Sequence, residues 1–137
     1  MSNLNMLKRQ HGEVLTIINN IKNLMDNGNL DKNVNNISFN INILAGKLKM
    51  HLISEDKFLY PQLMNNDKED IRDTAYNFYN EMGSVADILT SFVKKYNVPG
   101  KILQSKEDFI TESRKVLNLI QNRINKEDKK LYPLLEY

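Results

Sequence analysis

Apolar residues recur along the chain at alternating steps of three and four, the spacing that lines one face of a helix packed in a bundle. Leu4, Leu7, His11, Val14, Ile18, Ile21 and Met25 form the first stripe, which stops at Asp-Asn-Gly-Asn, where Gly28 can supply a left-handed helix end. Ile37, Ile41, Leu44, Leu48, His51, Glu55 and Phe58 form the second, ending near Pro61, a residue that a helix interior tolerates poorly. The third, Ile71, Ala75, Phe78, Met82, Val85, Leu89, Phe92 and Tyr96, opens with Asn66 and Glu69 as a capping pair and closes at Asn-Val-Pro-Gly. Phe109, Ser113, Val116, Ile120, Arg123, Glu127 and Leu131 form the fourth, starting near Ser105 and Asp108 and ending at Pro133. Connections of a few residues between long helices force antiparallel neighbours. The pattern predicts an all-α fold, an up-down-up-down antiparallel four-helix bundle, with residues 1–137 as a single domain.

Composition removes several chemistries. Five Gly and three Pro are too few for the frequent turns of an all-β chain. The absence of cysteine excludes disulfides, zinc ribbons, iron–sulfur ligation and a thiol nucleophile. Nineteen Lys and Arg against seventeen Asp and Glu give a net charge of +2, with the signs mixed along the chain, so no concentrated basic patch suits nucleic acid. The N-terminal stretch lacks the apolar run of a signal peptide, and nothing approaches a membrane span. These features predict a soluble, cytoplasmic protein without nucleic-acid or membrane partners.

Three of the stripes carry polar residues where the core should be: His11 on the first, His51 and Glu55 on the second, and Ser113, Arg123 and Glu127 on the fourth. His-Leu-Ile-Ser-Glu-Asp-Lys-Phe-Leu-Tyr-Pro-Gln-Leu at 51–63 returns as Arg-Ile-Asn-Lys-Glu-Asp-Lys-Lys-Leu-Tyr-Pro-Leu-Leu at 123–135. His-Gly-Glu-Val-Leu-Thr-Ile-Ile from 11 aligns in the same way with Met-Gly-Ser-Val-Ala-Asp-Ile-Leu from 82, so the chain reads as two diverged helical hairpins. That arrangement predicts one core level surrounded by His11, His51, Glu55, the Glu81–Met82 pair, Arg123 and Glu127. Buried charge must be paired or must hold a metal. His51 with Glu55, and Arg123 with Glu127, are spaced i and i+4, which aims both members of each pair at the same inward face. Carboxylate plus imidazole on facing helices is how bundles build di-iron and di-manganese sites.

At these residues the chain resembles a known family. Arg-Gln-His-Gly-Glu-Val in the first helix and His-Leu-Ile-Ser-Glu-Asp-Lys-Phe-Leu-Tyr-Pro in the second are similar to the hemerythrin-like HHE cation-binding domain, and the repeat extends the likeness over nearly the whole chain. The resemblance implies a non-haem di-iron centre used in oxygen binding, in sensing oxygen or iron, or in related redox work. Its pattern has a His on helix 1, His-x-x-x-Glu on helix 2, one or two His on helix 3, and His-x-x-x-Glu or a close variant on helix 4. His11, His51, Glu55 and Glu127 match it position by position. Glu81 followed by Met82 stands where helix 3 should offer His, and Arg123 stands where helix 4 should begin its motif. With two histidines in the chain a five-His site is impossible, and arginine does not deprotonate to become an ordinary ligand.

Plainer readings exist for each residue. A lone His11 is ordinarily a satisfied core histidine, and His51 with Glu55 is ordinarily a surface pair. Their company on otherwise apolar stripes argues instead for metal ligands at His11, His51, Glu55, Glu81 and Glu127, with Arg123 orienting the carboxylates from behind. Glu81 would supply its carboxylate by leaning in beside Met82. Two non-haem irons are expected, with one ion or none as alternatives. A small diatomic or peroxide ligand and self-association remain compatible with this reading. The competing reading is a metal-free, degenerate bundle in which Glu81 and Arg123 pair and the domain serves as a protein interaction module. Asp56 and Asp128 are expected on solvated flanks, and the tyrosines of the two Leu-Tyr-Pro segments at the base of the bundle. Nothing supports a nucleophilic enzyme: there is no cysteine, no third histidine and no Gly-rich nucleophile elbow.

Overall fold

Each stripe folds as a long helix in the structure, a computed structural model that describes residues 3–136. In chain order the helices are α1 (Asn3–Asp26), α2 (Leu30–Phe58), the short α3 (Tyr60–Met64), α4 (Glu69–Tyr96), the short α5 (Pro99–Gln104) and α6 (Lys106–Lys126). A π-helical turn over Glu127–Leu131 and a 3-10 turn over Tyr132–Glu136 continue α6. No strand occurs among the described residues, and no described helix is long and apolar enough to cross a membrane. The long helices close a ring: α1 packs on α2 and α6, and α4 packs on the same two from the other side.

The ends differ in detail from those the sequence predicts. Gly28 does take the left-handed conformation, with φ at 99°, just beyond α1. Asn29 then caps α2, accepting a bond from the Lys32 amide through its side chain. Asn66 does not pair with Glu69. Its side chain accepts from the Lys68 amide at 2.9 Å, and α4 starts at Glu69 without a side-chain cap. Pro61 and Pro99 each open a short helix that the heptad pattern does not contain, since proline is preorganised for a first helical turn. Ile102, fully buried, ties the second of these to the core.

The buried faces follow the stripes. Val14, Ile18, Ile21, Ile37, Ile41, Leu44, Leu48, Leu89, Phe92 and Ile120 belong to one large apolar cluster. Leu7, Leu59, Tyr60, Leu63, Ala75, Phe78, Leu131 and Tyr132 form a second cluster. His11, His51, Glu55, Arg123 and Glu127 are all buried, and each helix that carries them reaches this layer between residues of the two clusters. The polar level predicted from the repeat is therefore a layer with apolar packing above and below it.

Gly28 gives the fold a direct test. A side chain there meets no neighbour, so the cost of Gly28→Ala is backbone strain alone, about 1–2 kcal/mol in the left-handed region. Gly46 lies in mid-helix with open space around it, and Gly46→Ala gains roughly 0.5–1 kcal/mol. Urea unfolding of the two variants should move the midpoint in opposite directions.

Candidate metal centre

Four helical segments deliver the polar layer. His11 comes from α1, His51 and Glu55 from successive turns of α2, Arg123 from the last turn of α6 and Glu127 from the π turn that follows it. The Leu and Ile residues before and after each of them on the stripe seat the helices against one another, and the i, i+4 spacing leaves these side chains no direction but inward.

His11, His51, Glu55 and Glu127 each present one donor atom, and these four atoms all lie within 4.8 Å of one another. His11 Nε2 stands 2.9 Å from Glu127 Oε1, and His51 Nε2 stands 3.3 Å from Glu55 Oε2 and 3.9 Å from Glu127 Oε1. The imidazole centroids are 4.5 Å apart. Both rings are held from outside through the other nitrogen. His11 Nδ1 donates to Asp128 Oδ1 at 2.7 Å, and His51 Nδ1 donates to Gln10 Oε1 at 2.8 Å. Gln10 is fixed in turn by donating its amide to Ser54 Oγ at 3.0 Å. With Nδ1 engaged outward, Nε2 is the atom that each ring offers to the interior, the orientation that outer partners impose on metal-binding histidines.

Arg123 lies on the far side of Glu127. Its Nε donates to Glu127 Oε2 at 3.3 Å, its Nη1 to Glu81 Oε2 at 2.8 Å and its Nη2 to the Phe78 carbonyl, while the guanidinium sits over the Phe78 ring. Glu127 is thus shared: Oε1 faces the imidazoles and Oε2 faces the guanidinium. The structure does not bring Glu81 into the cage. Its side chain is 53% exposed, and Lys126 and Arg123 both bond its Oε2. The heptad explains this, because Met82 holds the buried position and Glu81 falls on the adjoining rim.

Charge in the layer is closely matched. Burial lowers the affinity of His51 for its proton, but the adjacent Glu127 and Glu55 carboxylates outweigh burial and raise its pKa to about 9. Burial pushes the Glu55 carboxyl up. For Glu127 burial acts in the same direction, yet His11, His51 and Arg123 together hold it well below the usual carboxylate range. Hydrogen bonding by Lys126 leads the effects that depress Glu81.

Two further residues meet the cage. Asp128, expected on a solvated flank, is the outer partner of His11. Tyr132, expected at the base, is indeed packed there with Leu131 and Leu7, but its hydroxyl enters the polar layer. It donates to Glu55 Oε2 at 2.8 Å and lies 2.9 Å from His11 Nε2 and 3.2 Å from His51 Nε2. The π turn makes this possible. Tyr132 N–H bonds Glu127 O, five residues back, so the tyrosine stacks above Glu127. In an α-helix five residues would rotate it about 140° away. The repeated Glu-Asp-Lys-x-Leu-Tyr motif was the signal that marks Asp128 and Tyr132, though helical periodicity alone cannot aim them.

The donor set fits a metal cation. Two imidazole nitrogens and two carboxylates converge at the separations that one coordination sphere allows, and such mixed N/O sets suit first-row transition ions. Glu55 Oε1 is buried with no hydrogen-bond partner, an orphaned acceptor that a cation would satisfy.

Comparison with known proteins agrees with this donor set. No curated protein and no solved structure matches the chain. A family model for the hemerythrin HHE cation-binding domain matches residues 2–135, so nearly the whole chain, including all four residues of the cage, belongs to the hemerythrin HHE cation-binding domain family.

Proposed function

We propose that the chain binds iron in the His11, His51, Glu55 and Glu127 cage and serves, in the cytoplasm, in sensing or handling oxygen, another small oxidant or iron itself. The observation that carries this reading is the fully buried two-imidazole, two-carboxylate cluster with its unpartnered Glu55 Oε1. The scaffold would be one up-down-up-down bundle. Support comes from bonds that join the start of one helix to the end of the next: Gln10 with Ser54 and Asn33 with the Leu24 carbonyl for α1 and α2, and Lys95 with Glu112 for α4 and α6.

The family resemblance implies two ions, and the surroundings of Glu127 favour one. Arg123 bonds Oε2 and so supplies positive charge on the side of the carboxylate away from the imidazoles, where the repeat sets Met82 opposite His11 and Arg123 opposite His51. Bound iron would contribute Lewis acidity and one-electron chemistry. The chain's own residues perform the rest. Asp128 and Gln10 hold the rings in register, Arg123 orients Glu127, and the apolar clusters above and below the layer exclude water. Four protein donors do not fill the sphere of an ion that takes six, which leaves room for a small molecule.

The metal-free interaction module draws support from two observations: the Arg123–Glu81 pair at 2.8 Å, which that reading expects, and the Tyr132 hydroxyl, which meets several cage donors without an ion. It leaves Glu55 Oε1 buried and unpartnered, at a cost of about 1–3 kcal/mol that a cation held by both oxygens of that carboxylate would relieve.

His51→Ala combined with Glu55→Ala should abolish iron binding while circular dichroism reports nearly unchanged helix. Near-normal iron content by elemental analysis would sink the assignment. The metal-free protein keeps a proton on His51 up to about pH 9, and a cation must displace it. Iron affinity should therefore climb from about pH 6 toward pH 9 and then flatten, with protons released on binding near neutrality. Titration calorimetry that finds constant affinity and no proton release across that range contradicts this account. Arg123→His places an imidazole at the position that the repeat pairs with His51, and iron per chain should rise above that of the wild type. Unchanged iron together with a loss of about 3–5 kcal/mol in urea would assign Arg123 to a purely structural ion pair.

A further inference from the structure

We infer that Tyr132 is a further ligand of this centre, a phenolate oxygen that completes a five-donor set with His11, His51, Glu55 and Glu127. The inference rests on the metal reading above and adds to it the identity of one donor. It starts from distances. Donor atoms that share one ion through bonds of about 2.0–2.2 Å sit roughly 3 Å apart when adjacent in the coordination sphere. Tyr132 Oη lies 2.8 Å from Glu55 Oε2, 2.9 Å from His11 Nε2 and 3.2 Å from His51 Nε2. It therefore has the spacing of a neighbouring ligand to three of the four cage donors at once, whereas a residue lying behind the site would approach a single donor.

The backbone supports the same placement. The π turn over Glu127–Leu131 interrupts α geometry where α6 ends, and its i to i+5 bond sets Tyr132 above Glu127. π turns inside helices recur at functional sites because they re-aim side chains. The tyrosine ring is itself fixed, stacked 4.7 Å from the His11 ring with an interplanar angle of 9°, and the residue is fully buried. The internal repeat supplies a control. Tyr60 occupies the position equivalent to Tyr132, but there the chain leaves α2 into the α-helical α3, and the Tyr60 hydroxyl is buried with no hydrogen-bond partner. Only the π-helical copy brings its hydroxyl within hydrogen-bond distance of the cage donors.

Coordination breaks the phenol O–H bond and forms an O–metal bond, and the proton passes to solvent. No electron is transferred, so the step needs no oxidant when ferric iron is supplied directly.

The test uses the full chain loaded with ferric iron from its nitrilotriacetate complex. Wild-type protein should develop a visible phenolate-to-iron charge-transfer band, and resonance Raman excitation in that band should enhance tyrosinate ring modes. Tyr60→Phe should keep both. Tyr132→Phe should lose both while still binding iron, with an affinity reduced about tenfold or more. Iron-loaded wild type without the band, or a band that survives in Tyr132→Phe or vanishes in Tyr60→Phe, overturns the inference and leaves the four-residue cage standing. A wild-type chain that retains no iron overturns the metal reading itself. If Tyr132→Phe fails to fold, the wild-type and Tyr60→Phe spectra carry the decision between the two buried tyrosines.

Discussion

Glu55 and Glu127 are carboxylates enclosed between two layers of Leu, Ile, Phe and Tyr, and the arrangement of the whole polar level follows from compensating them. A carboxylate moved out of water without a partner is among the most costly things a core can contain. Here each is answered by cations or donors reaching in from other turns and helices: His51 and Tyr132 for Glu55, and His11 and Arg123 for Glu127. The answer is complete for Glu127. It is incomplete for Glu55, whose second oxygen has no partner, a deficit that a bound cation would relieve.

Glu127 divides the layer into unlike halves. On one side it meets two imidazoles whose outer nitrogens are held by Asp128 and Gln10, a preorganised and chemically adaptable set. On the other it meets a guanidinium that cannot lose its proton and that is pinned to the Phe78 carbonyl and to Glu81. The two copies of the repeat share Glu-Asp-Lys-x-Leu-Tyr-Pro but differ within this layer: His11 and His51 in the first stand opposite Met82 and Arg123 in the second, so groups that can release protons to a metal face a permanent positive charge. A site with one exchangeable half differs from a symmetrical two-ion site in how many charges it can bind and lose.

Much of this was legible in the chain. The three-and-four stepping identified the four long helices and most of their buried residues, because side-chain direction in a helix depends on spacing, while Ile17, Val34, Leu117 and Ile124, beside the stripes, are buried as well. His11, His51, Glu55 and Glu127 were readable for the same reason: polar residues on apolar stripes at one level have nowhere to go but toward each other. Three things were hidden. Glu81 sits one residue from a core position, and helical phase alone separates the interior from the rim by a single step. The short helices at Pro61 and Pro99 depend on local turn geometry rather than on the heptad. Tyr132 depends on a π turn, a change of backbone period that leaves no mark in a hydrophobic pattern; Leu131 and Tyr132 lie there in one buried cluster with Leu7, Leu59 and Phe78.

In the function proposed above, one cation sits among the imidazoles and carboxylates while Arg123 occupies the opposite side of Glu127. An anomalous-difference map at the iron edge, from crystals of protein purified without chelator, tests it most directly. A single peak bounded by His11 Nε2, His51 Nε2, Glu55 and Glu127 is the expected result. No peak in iron-loaded crystals, or a second peak beyond Glu127 beside Met82, would contradict it.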